Sequence, residues 1–487
     1  MKFFGLNITR TKPPKPQTKY IALRNYDAAK NSDLLFNYNG GNSSADALLS
    51  GNLSKIRNRS RDLARNNEYV KKFKRMVSSN IIGPNGIALQ NKAKNKNGGQ
   101  DKKTNDIIET AWWKWGEKGN CDVTGKYSFR ALCSAIAANV CIDGEVLVRK
   151  IKTSDGLKLQ LIEADHLPEH FNDTHKNIKM GIEFDAYGKP IAYHIAKFHP
   201  SDLISTAQNE YVRIPSDEII HVFLPDRISQ TRGVPWVHAA VTKLKMINGY
   251  EEAELVAARL SAAKGGFYIS PAAEDYIGDD TADNGDPIQE VTPGMLEKLP
   301  AGWDFKPFDP NHPTTAFAEF EKAVLRGIAS GLDVSYAYLT NDLESYNFSS
   351  IRAGVLDERE AWMNLQSWFI EEFLNDVYKE WLKMALLTKA VPFALNRFDD
   401  LCAPFWMPRR WAWVDPQKDI TANILALKAG LKAPSQVASE MGYDLEEVYE
   451  AIKRDQDMRE SMGIQTASDA ELLLLLANIN KGDGKNG

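Results

Sequence analysis

The chain has 487 residues, 43% of them hydrophobic and 25% charged, with a formal net charge of −4 at neutral pH. Such a length allows two to four domains and a sizeable core, and the composition is that of a folded soluble protein. The charge excludes a polybasic chain that clings to nucleic acid everywhere, so any contact with DNA must come from local patches or be weak.

Residues 1–50 read as a partly disordered or partner-dependent arm, with Pro13-Pro14-Lys15-Pro16 and an Asn/Gly/Ser tract from Asn37 to Ser44. Ser54 to Arg75 carries one helical pattern dense in cations, among them Arg57, Arg59, Arg61, Arg65, Lys71 and Lys72, against only Asp62 and Glu68. It is either a basic surface for nucleic acid or an acidic partner, or a solvated face whose carboxylates come from elsewhere. Asn105 to Gly116 predicts a helix carrying Trp112, Trp113 and Trp115. Such rings can stack bases but more often form core or subunit contacts. Tyr127 to Cys141 predicts another helix. The next stretch is β-rich. Glu145–Arg149 and Leu157–Ile162 form a hairpin across Asp155-Gly156, and Gly181–Phe184 and Ile191–Ile195 a second across Tyr187-Gly188-Lys189-Pro190. Glu218–Phe223 adds a strand, which gives an α+β region.

Pro235 to Ala262 predicts one long helix, ended by Gly265-Gly266. An insert over residues 264–313 follows. It has no Lys or Arg from Gly265 to Leu296 but carries Glu274, Asp275, Asp279, Asp280, Asp283 and Asp286, and its length makes it a small subdomain. From Ala316 to Ser330, Phe317, Phe320, Val324, Leu325 and Ile328 mark one helical face, with Gly331 as the left-handed cap. A polar loop, Thr340 to Phe348, offers Asn341, Asp342, Glu344, Tyr346 and Asn347. A second helix starts behind Ser349 or Ser350 and carries Leu365, Phe369, Phe373, Val377 and Trp381 in a stripe. Beyond an irregular stretch with Trp406, Trp411 and Trp413, helices are predicted at Asp419–Ala429, Ser435–Met441 and Asp444–Met458. Asp444 and Glu447 form a capping box for the third.

No constellation supports catalysis. Gly482 to Gly487 matches G-x-G-x-x-G but lies in the tail, without a preceding strand or following helix. Neither a phosphate-cradling G-x-x-x-x-G-K-[ST] loop nor a G-x-S-x-G elbow is present. Asp280 to Val291 mimics a calcium loop but has Ala282 and Val291 where oxygen ligands belong. His166 and His170 have metal spacing, with Pro168 between them to break the helix that would present both. Cys121, Cys133, Cys141 and Cys402 make no C-x-x-C pair and read as reduced thiols of an intracellular protein. Neither a signal peptide nor a membrane-length apolar run is present. No metal, cofactor or catalytic residue is predicted.

Several stretches, in a fixed order, resemble the lambda-like family of tailed-bacteriophage portal proteins. They are Arg59-Ser-Arg61-Asp-Leu-Ala-Arg65-Asn-Asn67, Gly144-Glu-Val-Leu-Val-Arg149, Ile162-Glu-Ala-Asp165-His-Leu-Pro168 and Gly181-Ile-Glu-Phe-Asp185 with Gly188-Lys-Pro190-Ile-Ala-Tyr193. Further along come Ile214-Pro-Ser-Asp-Glu-Ile-Ile-His221, Arg232-Gly-Val-Pro-Trp236, Tyr346-Asn-Phe-Ser-Ser-Ile-Arg352, and Trp413-Val-Asp-Pro416 with Ala429-Gly-Leu431.

The resemblance implies an α+β portal fold, divided into an arm (1–50), a wing (51–234), a stem helix (235–263) and a clip (264–313). A returning stem helix (314–332), a tunnel loop (333–348), a long wing helix with its connection (349–414), a crown (415–465) and a tail (466–487) follow. It also implies a ring, usually of twelve subunits, at one capsid vertex of a virion assembled in the host cytoplasm. Through that ring double-stranded DNA is packaged, held and ejected. Terminase, head-completion, capsid and scaffold proteins are the implied partners, with no membrane. Asn341, Asp342, Glu344, Tyr346 and Asn347 would face the DNA, and the acidic insert would face terminase or an adaptor. A near-neutral chain suits such a conduit, because a wall that neutralised many phosphates would bind duplex too tightly to let it slide. Two other readings remain. One is a nucleic-acid enzyme using the acidic segment for metals, and the other a monomeric DNA binder acting through Lys55–Arg75.

Overall fold

Two helices stand where the cationic pattern predicts one. The first spans Leu53–Asn66 and the second Glu68–Ile81, broken by Asn67, whose backbone is extended (φ −116°, ψ 127°). Its side chain accepts the Val70 N–H at 3.1 Å, so an internal N-cap stops one helix and starts the next. The computed structural model describes residues 2–3, 6–7, 41–202, 210–262, 266–269, 280–281, 287–288, 304–307, 317–344, 348–411, 416–443 and 445–463.

In chain order, β1 (Lys2–Phe3) pairs with β2 (Leu6–Asn7). Next come α1 (Ala45–Leu49), α2 (Leu53–Asn66), α3 (Glu68–Ile81), β3 (Ala88–Asn91), α4 (Lys102–Gly116) and α5 (Phe129–Asp143). Ser44 caps the first amides of α1, which lies within the stretch expected to be the arm. β4 (Glu145–Thr153) and β5 (Gly156–Ile162) form the predicted hairpin, with Thr153 opposite Gly156. β6 (Ile178–Lys179), β7 (Ile182–Phe184), β8 (Pro190–Ala196) and β9 (Tyr211–Pro215) make an antiparallel sheet in sequence order. β10 (Ile219–Phe223) returns to the free edge of β4. The predicted hairpins hold; the first gains β10 and the second gains β6 and β9.

A single 3-10 turn, Trp236–Ala239, precedes α6 (Val241–Ala262). Within the insert, β11 (Gly266–Ile269) pairs with β14 (Asp304–Pro307), and β12 (Asp280–Thr281) with β13 (Pro287–Ile288). α7 (Phe317–Gly331) returns from it. The left-handed residue that ends α7 is Asp333 (φ 55°), not Gly331, because the closing bond runs from Val334 N to Ala329 O at 3.1 Å.

α8 (Tyr336–Thr340) precedes the polar loop, and α9 (Phe348–Phe369) continues through a π turn at Ile370–Leu374 into α10 (Asn375–Leu387). Ser349 and Ser350 thus lie inside the first turn of α9 rather than before it. Residues four apart advance about 400° on an α-helix, so a strict four-residue stripe drifts about 40° per step. The π turn, with more residues per revolution, brings Phe373, Val377 and Trp381 back to the face that buries Phe369.

After α11 (Phe398–Leu401), the stretch expected to be irregular holds β15 (Pro404–Met407), which pairs antiparallel with β3. α12 (Pro416–Lys428), α13 (Pro434–Glu440) and α14 (Leu445–Ser461) follow. Asp444 and Trp413 lie outside the described residues.

The main core joins α3 (Val70, Phe73, Val77, Ile81), α5 (Leu132, Ile136, Val140) and the α9–α10 stripe. Trp112 sits at its aromatic centre, with ring centroids of Phe129, Tyr378, Trp381 and Trp406 at 5.0 to 5.8 Å. Trp115 donates to Leu157 O at 2.7 Å, and Trp113 is exposed. Two of the three tryptophans are therefore packing residues, not a base-stacking platform. A smaller core, with Leu147, Ile182, Tyr193, Ile195 and Ile214, lies where the two sheets meet. Among the described residues, no helix is long and apolar enough to cross a membrane.

Candidate functional site

α6 and α7 run against each other, with Leu244 and Ile247 of one and Leu325 and Ile328 of the other in the common core. Further along, Tyr250 contacts Phe317 and Phe320 with centroids 5.6 and 5.3 Å away. This places α8 and the start of the polar loop at the inner end of the helix pair. Asn341 is left-handed (φ 64°) and ends α8. Its side-chain oxygen accepts from Lys72 Nζ, which joins the cationic α3 to the loop.

Asp342 is held on both carboxylate oxygens. Oδ2 accepts from the Tyr336 hydroxyl at 2.8 Å and lies 3.6 Å from Lys322 Nζ, while Oδ1 accepts the Glu344 N–H at 3.2 Å. The Tyr336 hydrogen bond leads the effects that hold this carboxyl below the usual range. Asp342 therefore fastens the base of the loop to α7. Glu344, at 89% exposure and 3.9 Å from Lys322, extends outward. Tyr346 and Asn347 lie outside the described residues, as do Glu274, Asp275, Asp279, Asp283 and Asp286. Asp280 stands in β12 opposite Ile288.

The expected basic surface divides. Arg59, Arg65 and Lys71 are exposed, but Arg57 is buried and Arg61 largely so. The correction has a clear cause, since carboxylates from distant segments meet them. Glu145, fully buried at the start of β4, accepts from Arg57 Nη2 at 3.0 Å and from Arg232 Nε at 2.9 and 3.0 Å. It also accepts from Gly233 N at 2.8 Å and lies 2.9 Å from His221 Nε2. Burial alone would raise its pKa, yet Arg232 and His221 hold it well below the ordinary carboxylate value. Arg57 reaches Asp165 as well, at 2.8 Å, and Arg61 forks onto Asp143 at 2.7 and 2.9 Å. The alternative of carboxylates supplied from elsewhere holds for these two arginines.

Two glycines allow the hub to form. A Cβ on Gly144 (φ +89°) would lie 2.5 Å from the Val234 carbonyl carbon, and one on Gly233 2.1 Å from Gly144 O. The chain can cross from β10 to the 3-10 turn before α6 only where both backbones are bare.

His166 Nδ1 lies 2.8 Å from Ala196 O, and His170 is exposed beside Glu169. Glu163, Asp165 and His199 instead bring ligand atoms within 4.8 Å of one another. Arg57 and Arg61 already neutralise Asp165, which makes this group part of the ion network.

Residues that sequence reasoning missed lie around the loop: Lys322, and the pair Arg359 and Arg409, whose guanidiniums lie 5.8 and 5.6 Å from the Trp411 ring. No local motif marks them.

A family model described as phage portal protein, lambda family, matches residues 32–366. The chain is 36% identical over 466 residues to a probable portal protein of Halomonas phage phiHAP-1, covering 93% of this chain and 90% of that protein. It is 21% identical over 480 residues to portal protein B of Escherichia phage lambda, covering 88% and 89%. Among solved structures, a chain in the neck of an empty GTA particle, computed with C6 symmetry, overlaps 82% of this chain and 97% of its own length, with a TM-score of 0.44 and 13% identity. The chain belongs to the lambda family of phage portal proteins.

Proposed function

We propose that the chain forms a closed ring at one vertex of a phage capsid and that double-stranded DNA enters, is retained and leaves through its channel. In this reading residues 51–234 and 349–414 are the wing, α6 and α7 the stem, 264–313 the clip, 333–348 the tunnel loop and 415–465 the crown. The ring has about twelve copies, and its clip docks the terminase motor and then head-completion proteins. No catalytic step is assigned to it.

One observation supports the ring most directly. The helices assigned to stem and crown leave apolar side chains uncovered in a single chain, with Met246, Leu255, Val256 and Phe320 exposed on the first and Ile424, Leu425, Ile452 and Met462 on the second. No described side chain of α12, α13 or α14 is buried. Apolar surface on both ends of one subunit suits a heterologous interface that closes by rotation.

Native mass spectrometry with negative-stain imaging tests this. A particle of about 650 kDa, twelve times 54.6 kDa, with a central channel is the expected result. A protein that stays monomeric at high concentration and beside capsid partners overturns it.

A further inference from the structure

Behind the loop base, α3, α9 and the segment after β15 enclose a cavity of about 280 Å³. Its wall carries Lys72, Arg359 and Arg409, three cations from three distant stretches of chain, with Asn341 of the loop at its rim. The acid on the same wall is Glu358. Burial pushes its carboxyl up, one oxygen accepts from Trp362 Nε1 at 3.1 Å, and the other is buried with no hydrogen-bond partner among the described residues. Asp419 contributes to the field at Arg359, and Arg75 at Lys72.

The cations sit in tension with their surroundings. Arg359 Nε is buried without a hydrogen-bond partner among the described residues. Burial and then Arg359 lower Arg409, and burial and then Arg75 lower Lys72. The Trp411 ring lies 5.8 Å from the Arg359 guanidinium and 5.6 Å from that of Arg409, and Arg409 Nη1 is tied to Ser79 O at 2.7 Å and to Asn80 Oδ1 at 2.9 Å. Two arginines and a lysine around a cavity whose wall carries one acid form an anion site.

We infer that the cavity lined by Lys72, Arg359 and Arg409 binds a phosphate oxyanion, either from a nucleic-acid backbone or free in solution. The volume exceeds what one phosphate group fills, so the anion keeps part of its water and Lys72 contributes as a mobile point charge beside Asn341. The anion chemistry stands on the cavity alone. Only the nucleic-acid source rests on the channel reading above, and there the site would couple backbone contact to the position of the loop.

The test is the thermal midpoint of the full chain in sodium phosphate against sodium chloride at equal ionic strength, with Arg359→Gln and Lys72→Gln beside the unaltered protein. Arg59→Gln, at an exposed position outside the cavity, serves as control. The expected result is a phosphate-dependent rise in the unaltered protein and in Arg59→Gln. Each cavity variant should need about tenfold more phosphate for the same rise, the equivalent of one charge-assisted hydrogen bond. Phosphate also stabilises proteins by exclusion, so an equal rise in all four proteins, or none in any, overturns the proposal. A short DNA duplex then separates the sources. Loss of the phosphate effect on adding duplex assigns the site to backbone phosphate, and an undiminished effect assigns it to free phosphate. Ring formation is measured separately and does not enter this outcome.

Discussion

The hub around Glu145 and the region where α6, α7 and the loop meet use charge in opposite ways. In the hub, three arginines and a histidine converge on buried carboxylates, and Glu145, Asp143 and Asp165 are each held by one or more guanidiniums. Around the helix pair, like faces like. Glu251 of α6 lies against Glu321 of α7 and near Glu68 of α3, and Arg359 and Arg409 both approach the Trp411 ring. Charge that is compensated within one chain is scaffold. Charge that is not compensated marks where something outside the chain, or a change of state, has to complete the balance.

The comparison breaks most visibly at the hub. Glu145→Ala would leave Arg232, with no exposed surface, and Arg57 without their shared carboxylate. Stranding buried cations costs about 3–5 kcal/mol. Denaturant unfolding should show that loss, while Arg59→Ala, on the exposed face of the same helix, should change stability by less than about 0.5 kcal/mol. Equal effects from the two would remove the distinction between scaffold and surface. Gly233→Ala comes next. Its Cβ would meet Gly144 O at 2.1 Å, a backbone atom that cannot rotate away, so a loss of about 1–3 kcal/mol is expected by the same measurement.

How much of this was legible in the sequence follows from how local each signal is. The α7 face from Phe317 to Ile328 and the stripe from Phe369 to Trp381 were readable because burial of one face imposes its period on the residues. The β4–β5 hairpin was readable because Asp155-Gly156 names its own turn. The break at Asn67 was not, since a single capping amide inside a cationic helical pattern looks like one more polar residue. The role of Arg57 was hidden more deeply. Its partners Glu145 and Asp165 are 88 and 108 positions away, and nothing near Arg57 distinguishes it from the exposed Arg59. The loop was legible as a polar segment between two helices, but its anchoring was not: Tyr336, Lys322 and Lys72 reach Asp342 and Asn341 from three helices, and only the fold brings them together.

The smallest predicted effect is at the helix pair, and it carries a sign. Burial, then the neighbouring Glu321 and Glu68, raise the Glu251 carboxyl to about 7 from an ordinary value of 4.5. A carboxyl raised on folding binds its proton more tightly in the folded state than in the unfolded chain, so stability is lost as pH climbs from the unfolded value through the folded one. The loss should therefore accumulate between about pH 4.5 and 7 and then level off. Glu251 is partly exposed, so solvent screening reduces the effect to roughly 1 kcal/mol. Glu251→Gln should remove that slope and make the protein more stable than the unaltered chain above pH 7, with little difference near pH 4.5. Chemical denaturation across this range checks it. A slope that persists in Glu251→Gln would assign it to other carboxyls. A slope that disappears would establish the contact between α6 and α7 as one that loosens with rising pH, while the arginine-filled hub, where Glu145 and Asp165 are held below the ordinary carboxylate range, keeps its strength over the same interval.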